Sequence, residues 1–195
     1  MKILVKFPTR SRPKQFLATL KGYIDNTVNV SNVDYLITID SNDHTMNAEV
    51  IKEIQSLSEN ITINNGASVN KIHAVNRGME QYKHHWDILV LASDDMICQR
   101  YGWDEVVSET MDNYYPDTDG ALWFWDGDHN TRRNGLCTMN IMGRKYYDRF
   151  GYIYHPSYAS LWCDNEYTDV GLRLGKLKFF DQVLFRHVHF SNTPG

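Results

Sequence analysis

Ile88-Leu89-Val90-Leu91-Ala92-Ser93-Asp94-Asp95 decides how the chain is read. Four apolar residues make a strand short enough to be buried on both faces. A hydroxyl and two carboxylates follow directly at its carboxyl end. Working back toward the N-terminus, the same design recurs three times. Ile3 to Phe7 is an apolar strand ending at Pro8, and Thr9-Arg10-Ser11-Arg12-Pro13 follows as a loop. Tyr35 to Ile39 is a second strand, ending at Asp40-Ser41-Asn42-Asp43. Ile61-Thr62-Ile63 is a third, with Asn64-Asn65-Gly66 as its turn.

Between these strands the apolar period changes to that of a helix. Pro13 suits a first helical turn. Phe16, Leu17, Leu20, Tyr23 and Ile24 follow with helical spacing, and Met46, Val50, Ile51, Ile54 and Leu57 do the same in the next segment. Ser68 is expected to cap a third helix with Val69, Ile72, Val75, Met79 and Tyr82 on its apolar face. Trp103, Val106, Val107 and Met111 mark a fourth. The order β-α-β-α-β-α-β-α predicts an α/β domain, a mostly parallel sheet with helices on both faces. Beyond residue 120 the pattern loosens. Strands are expected over 121–125, 136–141 and 177–185, a helical turn at 146–150, and a helix carrying Tyr167, Val170, Gly171 and Leu174.

The chain has 195 residues, 42% of them hydrophobic and 23% charged. That balance builds one folded domain, expected over 1–195, and excludes a disordered chain. Two halves are expected, over about 1–100 and about 101–195, divided where the regular βα units end. A net charge of -4 argues against general binding of nucleic acid or anionic membranes. Cys98, Cys137 and Cys163 are widely spaced with no CxxC, which fits a reducing compartment. The opening apolar run is too short for a signal peptide, and no stretch is long enough for a membrane span. A cytoplasmic protein is expected.

In open parallel sheets, ligands bind beyond the carboxyl ends of the strands. Thr9 to Arg12, Asp40 to Asp43, Asn70 with Lys71, and Ser93 to Asp95 all belong to that edge. Adjacent carboxylates such as Asp94 and Asp95 suit a hard cation, Mg²⁺ or Mn²⁺, that keeps positions open for water and phosphate. They also suit a helix start, where the dipole favours acids. Thr9, Arg10 and Arg12 supply donors for a diphosphate. His187 and His189 lie two apart after the last strand, so both can face one side.

The run Lys6-Phe7-Pro8-Thr9-Arg10-Ser11-Arg12-Pro13 resembles the opening of glycosyltransferases of the GT-A fold, family 2 in particular. Gly66 to Gly78, with Asn76-Arg77-Gly78, is similar to the family's Gly-then-helix stretch with its Asn-x-Gly. Leu91 to Asp95 is similar to the family's Asp-x-Asp segment, with Ala92 in place of the first acid. The likeness covers about residues 3 to 190. It implies a single Rossmann-like GT-A domain that transfers a sugar from a UDP- or GDP-linked donor to a hydroxyl of a saccharide or other acceptor, with inversion. It also implies nucleotide contacts at Pro8, Thr9, Arg10, Arg12, Asp40, Asn70, Lys71, Asn76, Ser93 and Asp94. The metal, Mn²⁺ or Mg²⁺, falls to Asp94, Asp95 and one of His187 and His189.

For the catalytic base, the likeness points to Glu166, seven residues before Arg173, with Asp164 as runner-up. Trp125 and Asp126 are expected at the sugar or acceptor side, since aromatic faces stack on sugar C–H surfaces. Two other readings remain. A sugar-phosphate nucleotidyltransferase normally carries a Gly-rich loop after the first strand, and this chain has no Gly there. A non-catalytic nucleotide- or carbohydrate-binding module needs only the cleft, its acids acting as caps.

Overall fold

The structure is a computed structural model and describes residues 1–188. The expected ligand His189 therefore lies outside the described residues. Four strands, β1 (Ile3–Thr9), β2 (Val33–Asp40), β3 (Ile61–Gly66) and β4 (Ile88–Leu91), lie parallel in the spatial order β3-β2-β1-β4. The sheet continues through β7 (Ile141–Gly143), β6 (Ala121–Phe124) and β8 (Leu177–Phe180) to make seven strands. Only β7 runs against its neighbours within that sheet. One sheet thus passes through both halves of the chain. A two-stranded antiparallel ladder of β5 (Met96–Cys98) and β9 (Phe185–His187) sits beside it.

Alternation along the strands loads two cores. Odd-numbered residues of β1, namely Ile3, Val5 and Phe7, pack in one cluster with Ile37, Val90 and the helices α1 (Pro13–Asp25), α2 (Ala48–Leu57) and α4 (Trp103–Tyr114). Helix α1 shows why. Pro13 pre-sets its first turn, and Phe16, Leu20 and Tyr23 recur at helical spacing, all buried. The Phe16 ring meets Phe7 edge-on at 4.7 Å. Each such side chain contributes about 1.5–3 kcal/mol of burial. Leu4, Leu36 and Leu89 face the opposite cluster, with α3 (Lys71–Asn76), α6 (Arg144–Phe150) and α7 (Cys163–Arg173).

Three sequence expectations change. The third helix is only α3. Asn70, not Ser68, caps it by accepting from the His73 N–H at 2.8 Å, and it stops before Gly78, which takes φ +89°. Val69 therefore falls outside the helix and is exposed. The alternation of Cys137, Met139 and Ile141 imitates a strand, yet only Ile141 pairs. A short helix α5 (His129–Asn134) fills the segment before it and ends on left-handed Gly135. The strand expected over 177–185 is broken into β8 and β9.

Gly143 joins β7 to α6, and a Cβ there would lie 2.1 Å from the Thr118 carbonyl oxygen. Because that neighbour is backbone, Gly143→Ala is expected to cost about 1–3 kcal/mol in urea unfolding.

Lys6 is fully buried in β1 and donates to the Thr38 hydroxyl. Burial, reinforced by the charge of Arg77, pulls its ammonium down to about 7. In an unfolded chain a lysine titrates near about 10.4. Between those values the unfolded state binds more protons, so this group makes stability rise with pH across that window. Lys6→Met is expected to stabilise the protein at neutral pH by roughly 1–3 kcal/mol and to flatten the rise. Unfolding curves at pH values from about 6 to about 9.5 check both.

Candidate functional site

The carboxyl ends of β1, β2 and β4 bring their polar residues together around two aspartates. Asp40 ends β2 almost fully buried. Its Oδ2 accepts from Arg10 at 2.6 Å, and its Oδ1 lies 3.4 Å from Arg77 Nη2. Arg10 also donates to Asn42 at 3.0 Å. Asp94 follows β4. Its Oδ1 pairs with Arg12 at 2.8 Å, while its Oδ2 is buried with no hydrogen-bond partner. Burial raises the Asp94 carboxyl above its usual range, against the pull of Arg12 and with the help of the Asp95 charge. The Asp94 carbonyl accepts from Gln15 at 3.1 Å and from Thr19 at 2.9 Å, which ties this turn to α1.

The loop after β1 is shaped for these contacts. Ser11 takes φ 62° and donates its N–H to Asp43 at 2.6 Å, so Arg10 and Arg12 diverge to different carboxylates. Thr9 Oγ1 is buried beside them without a partner, as are Ser68 Oγ and the Nε and Nη1 of Arg77. Buried polar groups are normally satisfied, so the orphaned oxygens of Thr9 and Asp94, at the carboxyl ends of β1 and β4, are open to a polar ligand. Pro8, the penultimate residue of β1, is half-buried and pairs with Thr38.

Asp95 turns the other way. It accepts from Ser93, and its Oδ2 stands 3.6 Å from His187 Nε2. His187 Nδ1 in turn lies 3.8 Å from Asp126. Although burial opposes it, the two acids raise His187 to about 9. Burial also works against ionised Asp95, yet His187 and Ser93 hold its carboxyl far below the usual range. The β5–β9 ladder builds this arrangement by pairing Met96 with His187, and Val188 N–H reaches the Asp95 carbonyl at 2.9 Å.

Several sequence-derived roles change here. Asp126 is saturated. Thr131 at 2.6 Å, Thr138 at 2.7 Å and the Asp128 N–H at 3.0 Å all donate to it. Against the effect of burial, His187 and these donors bring it to about 2. Its carboxylate is thus engaged by these donors and faces His187. Trp125 donates to the Asp128 carbonyl at 2.9 Å, and the Arg132 guanidinium covers its ring at 5.0 Å. Asn76 makes three amide bonds within the protein, to the backbone of Ile153 and Tyr154. Asn70 serves as the α3 cap. Lys71 is exposed at the start of α3, where its charge acts on both Asp94 and Cys163.

The two candidate bases open α7 but face different surroundings. Positions two apart on a helix point about 160° from one another. Glu166 lines a cleft with Tyr146, Phe150, Tyr152 and Ile153. Burial raises its carboxyl, countered by His155 and aided by Asp169. Asp164 instead acts on Cys163 and Cys137, and those thiols also feel Lys71 and Asp126 respectively. Asp164 therefore lies within electrostatic reach of the same two thiols as Lys71 and Asp126.

Sequence reasoning missed Arg77, Gln15, Thr19 and Lys6. Arg77 carried a readable signal, a charged side chain directly after a short helix and beside Gly66. A Cβ on Gly66 would strike Arg77 Nη1 at 2.2 Å.

No protein-family model matches the chain, and no curated protein does. Solved structures match well in shape. A mannosyltransferase, PcManGT from Pyrobaculum calidifontis, in complex with GDP-Man and Mn²⁺, superposes with a TM-score of 0.71 at 12% identity over 93% of this chain and 55% of its own. Residues 1–349 of S. aureus TarS in complex with UDP-GlcNAc give a TM-score of 0.72 at 10% identity, over 100% of this chain and 62% of theirs. The chain spans less than two thirds of either. These likenesses establish a GT-A-type, Rossmann-like fold with a mostly parallel sheet. No helix among the described residues is long and apolar enough to cross a membrane.

Proposed function

We propose that the chain is a metal-dependent glycosyltransferase that moves a sugar from a UDP- or GDP-linked donor to an acceptor hydroxyl. One observation carries the reading. At the sheet edge where α/β proteins bind ligands, Asp94 keeps a buried carboxylate oxygen without a partner, near the orphaned Thr9 hydroxyl and two arginines. That set suits a diphosphate with a divalent cation. The fold shared with a GDP-Man complex and a UDP-GlcNAc complex supports the same donor class.

The donor atoms fit such an ion. Asp94 Oδ2 is open to coordination, and Asp95 Oδ2 and His187 Nε2, 3.6 Å apart, are close enough to serve one ion together. No three His, Cys, Asp or Glu side chains among the described residues form a ready metal cage. Phosphate oxygens and water would complete the shell, as Mg²⁺ usually requires. Bound there, Mn²⁺ or Mg²⁺ supplies positive charge against the leaving diphosphate.

The protein's own residues do the rest. Arg12 and Arg10 exchange their present carboxylates for phosphate or base contacts, which frees Asp40 to accept from a ring N–H. Lys71 adds charge at the start of α3. Asp164 takes the proton from the acceptor hydroxyl as its oxygen attacks the anomeric carbon. A single base opposite the leaving group gives inversion. The two halves of the chain divide the work, with the donor held mainly before about residue 100 and the acceptor after it.

Calorimetry with UDP and GDP, with and without Mn²⁺, tests the reading, followed by nucleotide release from a panel of UDP- and GDP-sugars. Tight binding only with metal, together with release, is the expected outcome. Absence of any nucleotide binding under all conditions would sink it. Metal-coupled binding with no turnover on any donor would favour the non-catalytic module.

A further inference from the structure

We propose that Asp126 is the positioning residue for His187, holding the imidazole so that its Nε2 stays on the Asp95 side, where a divalent cation would be seated. The inference rests on the metal-dependent reading above and adds a residue to it.

Asp126 meets His187 at two levels. The chain leaves β6 at Phe124 and runs on beside β9, so the His187 N–H donates to the Asp126 carbonyl at 2.9 Å. The side chains then face each other. His187 Nδ1 lies 3.8 Å from Asp126 Oδ2, while Nε2 lies 3.6 Å from Asp95 Oδ2. The two ring nitrogens thus look toward different carboxylates. Gly127 makes the turn that permits this approach. Its φ is +82°, and a Cβ there would sit 3.4 Å from Arg186 Cγ, the neighbour of His187 on β9.

Asp126 is itself held. The residue is 4% exposed. Its Oδ1 accepts from the Thr131 hydroxyl at 2.6 Å and the Asp128 N–H at 3.0 Å, and its Oδ2 accepts from the Thr138 hydroxyl at 2.7 Å. Three donors from one short stretch of chain fix the carboxylate plane, so the acceptor offered to His187 is rigid. An imidazole that ligates a cation usually gives its other N–H to a carboxylate, which sets the tautomer and the ring orientation. With the proton of Nδ1 turned to Asp126, the lone pair is left on Nε2, beside Asp95. Asp126 therefore acts through His187 and touches neither donor nor acceptor.

Asp126→Asn is the informative change. The amide oxygen can keep the Thr131 and Asp128 donors, which places the NH₂ group before His187 Nδ1. The ring then accepts at Nδ1 and carries its proton on Nε2, where no lone pair remains for a cation. Mn²⁺ affinity is measured with saturating UDP or GDP, from the electron paramagnetic resonance of free Mn²⁺, for the unsubstituted chain, Asp126→Asn, His187→Ala and the double variant. Asp126→Asn is expected to weaken Mn²⁺ binding by about 10–100-fold. Once His187 is gone, the same change should cost less than about threefold. An unchanged affinity in Asp126→Asn overturns the proposal. So does a full loss in both backgrounds, which is what direct ligation by Asp126 or a merely structural role would give.

A second readout needs no Asp126 variant. In ¹⁵N spectra of the histidine side chains, the His187 signals are those missing from His187→Ala. With nucleotide and diamagnetic Mg²⁺ bound to the unsubstituted chain, the proton is expected on Nδ1. A proton on Nε2 overturns the proposal even if Asp126→Asn fails to fold. Metal binding that ignores Asp126 rejects the positioning role alone, whereas a chain that binds no divalent cation with either nucleotide rejects the metal-dependent reading along with it.

Discussion

Asp94→Asn is expected to abolish the metal-dependent part of nucleotide affinity and to lower turnover by about 10³-fold. The substitution is nearly isosteric, so it leaves the backbone bonds from Gln15 and Thr19 to the Asp94 carbonyl intact. It removes the negative charge that faces Arg12 at 2.8 Å and replaces one carboxylate oxygen with an amide nitrogen that cannot ligate a cation. Calorimetric titration of UDP or GDP with and without Mn²⁺ should show the two curves merging in the variant. Nucleotide release from the active donor gives the rate. Retained metal dependence would move the cation away from β4.

Asp164→Asn is expected to reduce transfer by about 10²–10⁴-fold while nucleotide affinity stays within about threefold, because a positioned base acts only on the proton of the attacking hydroxyl. The loss should fall on kcat. Glu166→Gln supplies the comparison. Its carboxylate lines the cleft with Tyr146 and Tyr152, so that variant should retain activity within about threefold. Reversed results would return the role to Glu166.

Much of the strand-end edge was legible because it is built from local signals. Apolar strands followed by polar tips predict the four parallel strands, and the tips hold Thr9, Arg10, Arg12, Asp40, Asp94 and Asp95 at one edge. The second half of the chain was not, because its order comes from pairings distant in sequence. Strand β5 has three residues and exists through pairing with β9, far along the chain. Asp126 reads in the sequence as a sugar or acceptor contact, and only the fold shows Thr131, Thr138 and His187 around it. The spacing that favoured Glu166 counts residues to Arg173, but Arg173 pairs with Asp169 on the outer face of the helix. Lys6 reads as one polar residue in an apolar strand, and nothing local says that Thr38 and Arg77 await it.

The three hydrogen bonds of the Asn76 amide have a mechanical consequence. It accepts from the Ile153 and Tyr154 N–H groups at 2.9 and 3.2 Å and donates to the Tyr154 carbonyl at 2.7 Å. One side chain at the end of α3 thereby rivets the early part of the chain to the segment that leads into α7. A clamshell that opens between the two halves would have to break all three bonds. Adjustment to a visitor is thus left to the long, half-exposed side chains of Arg10 and Arg12, moving over a frame that stays still.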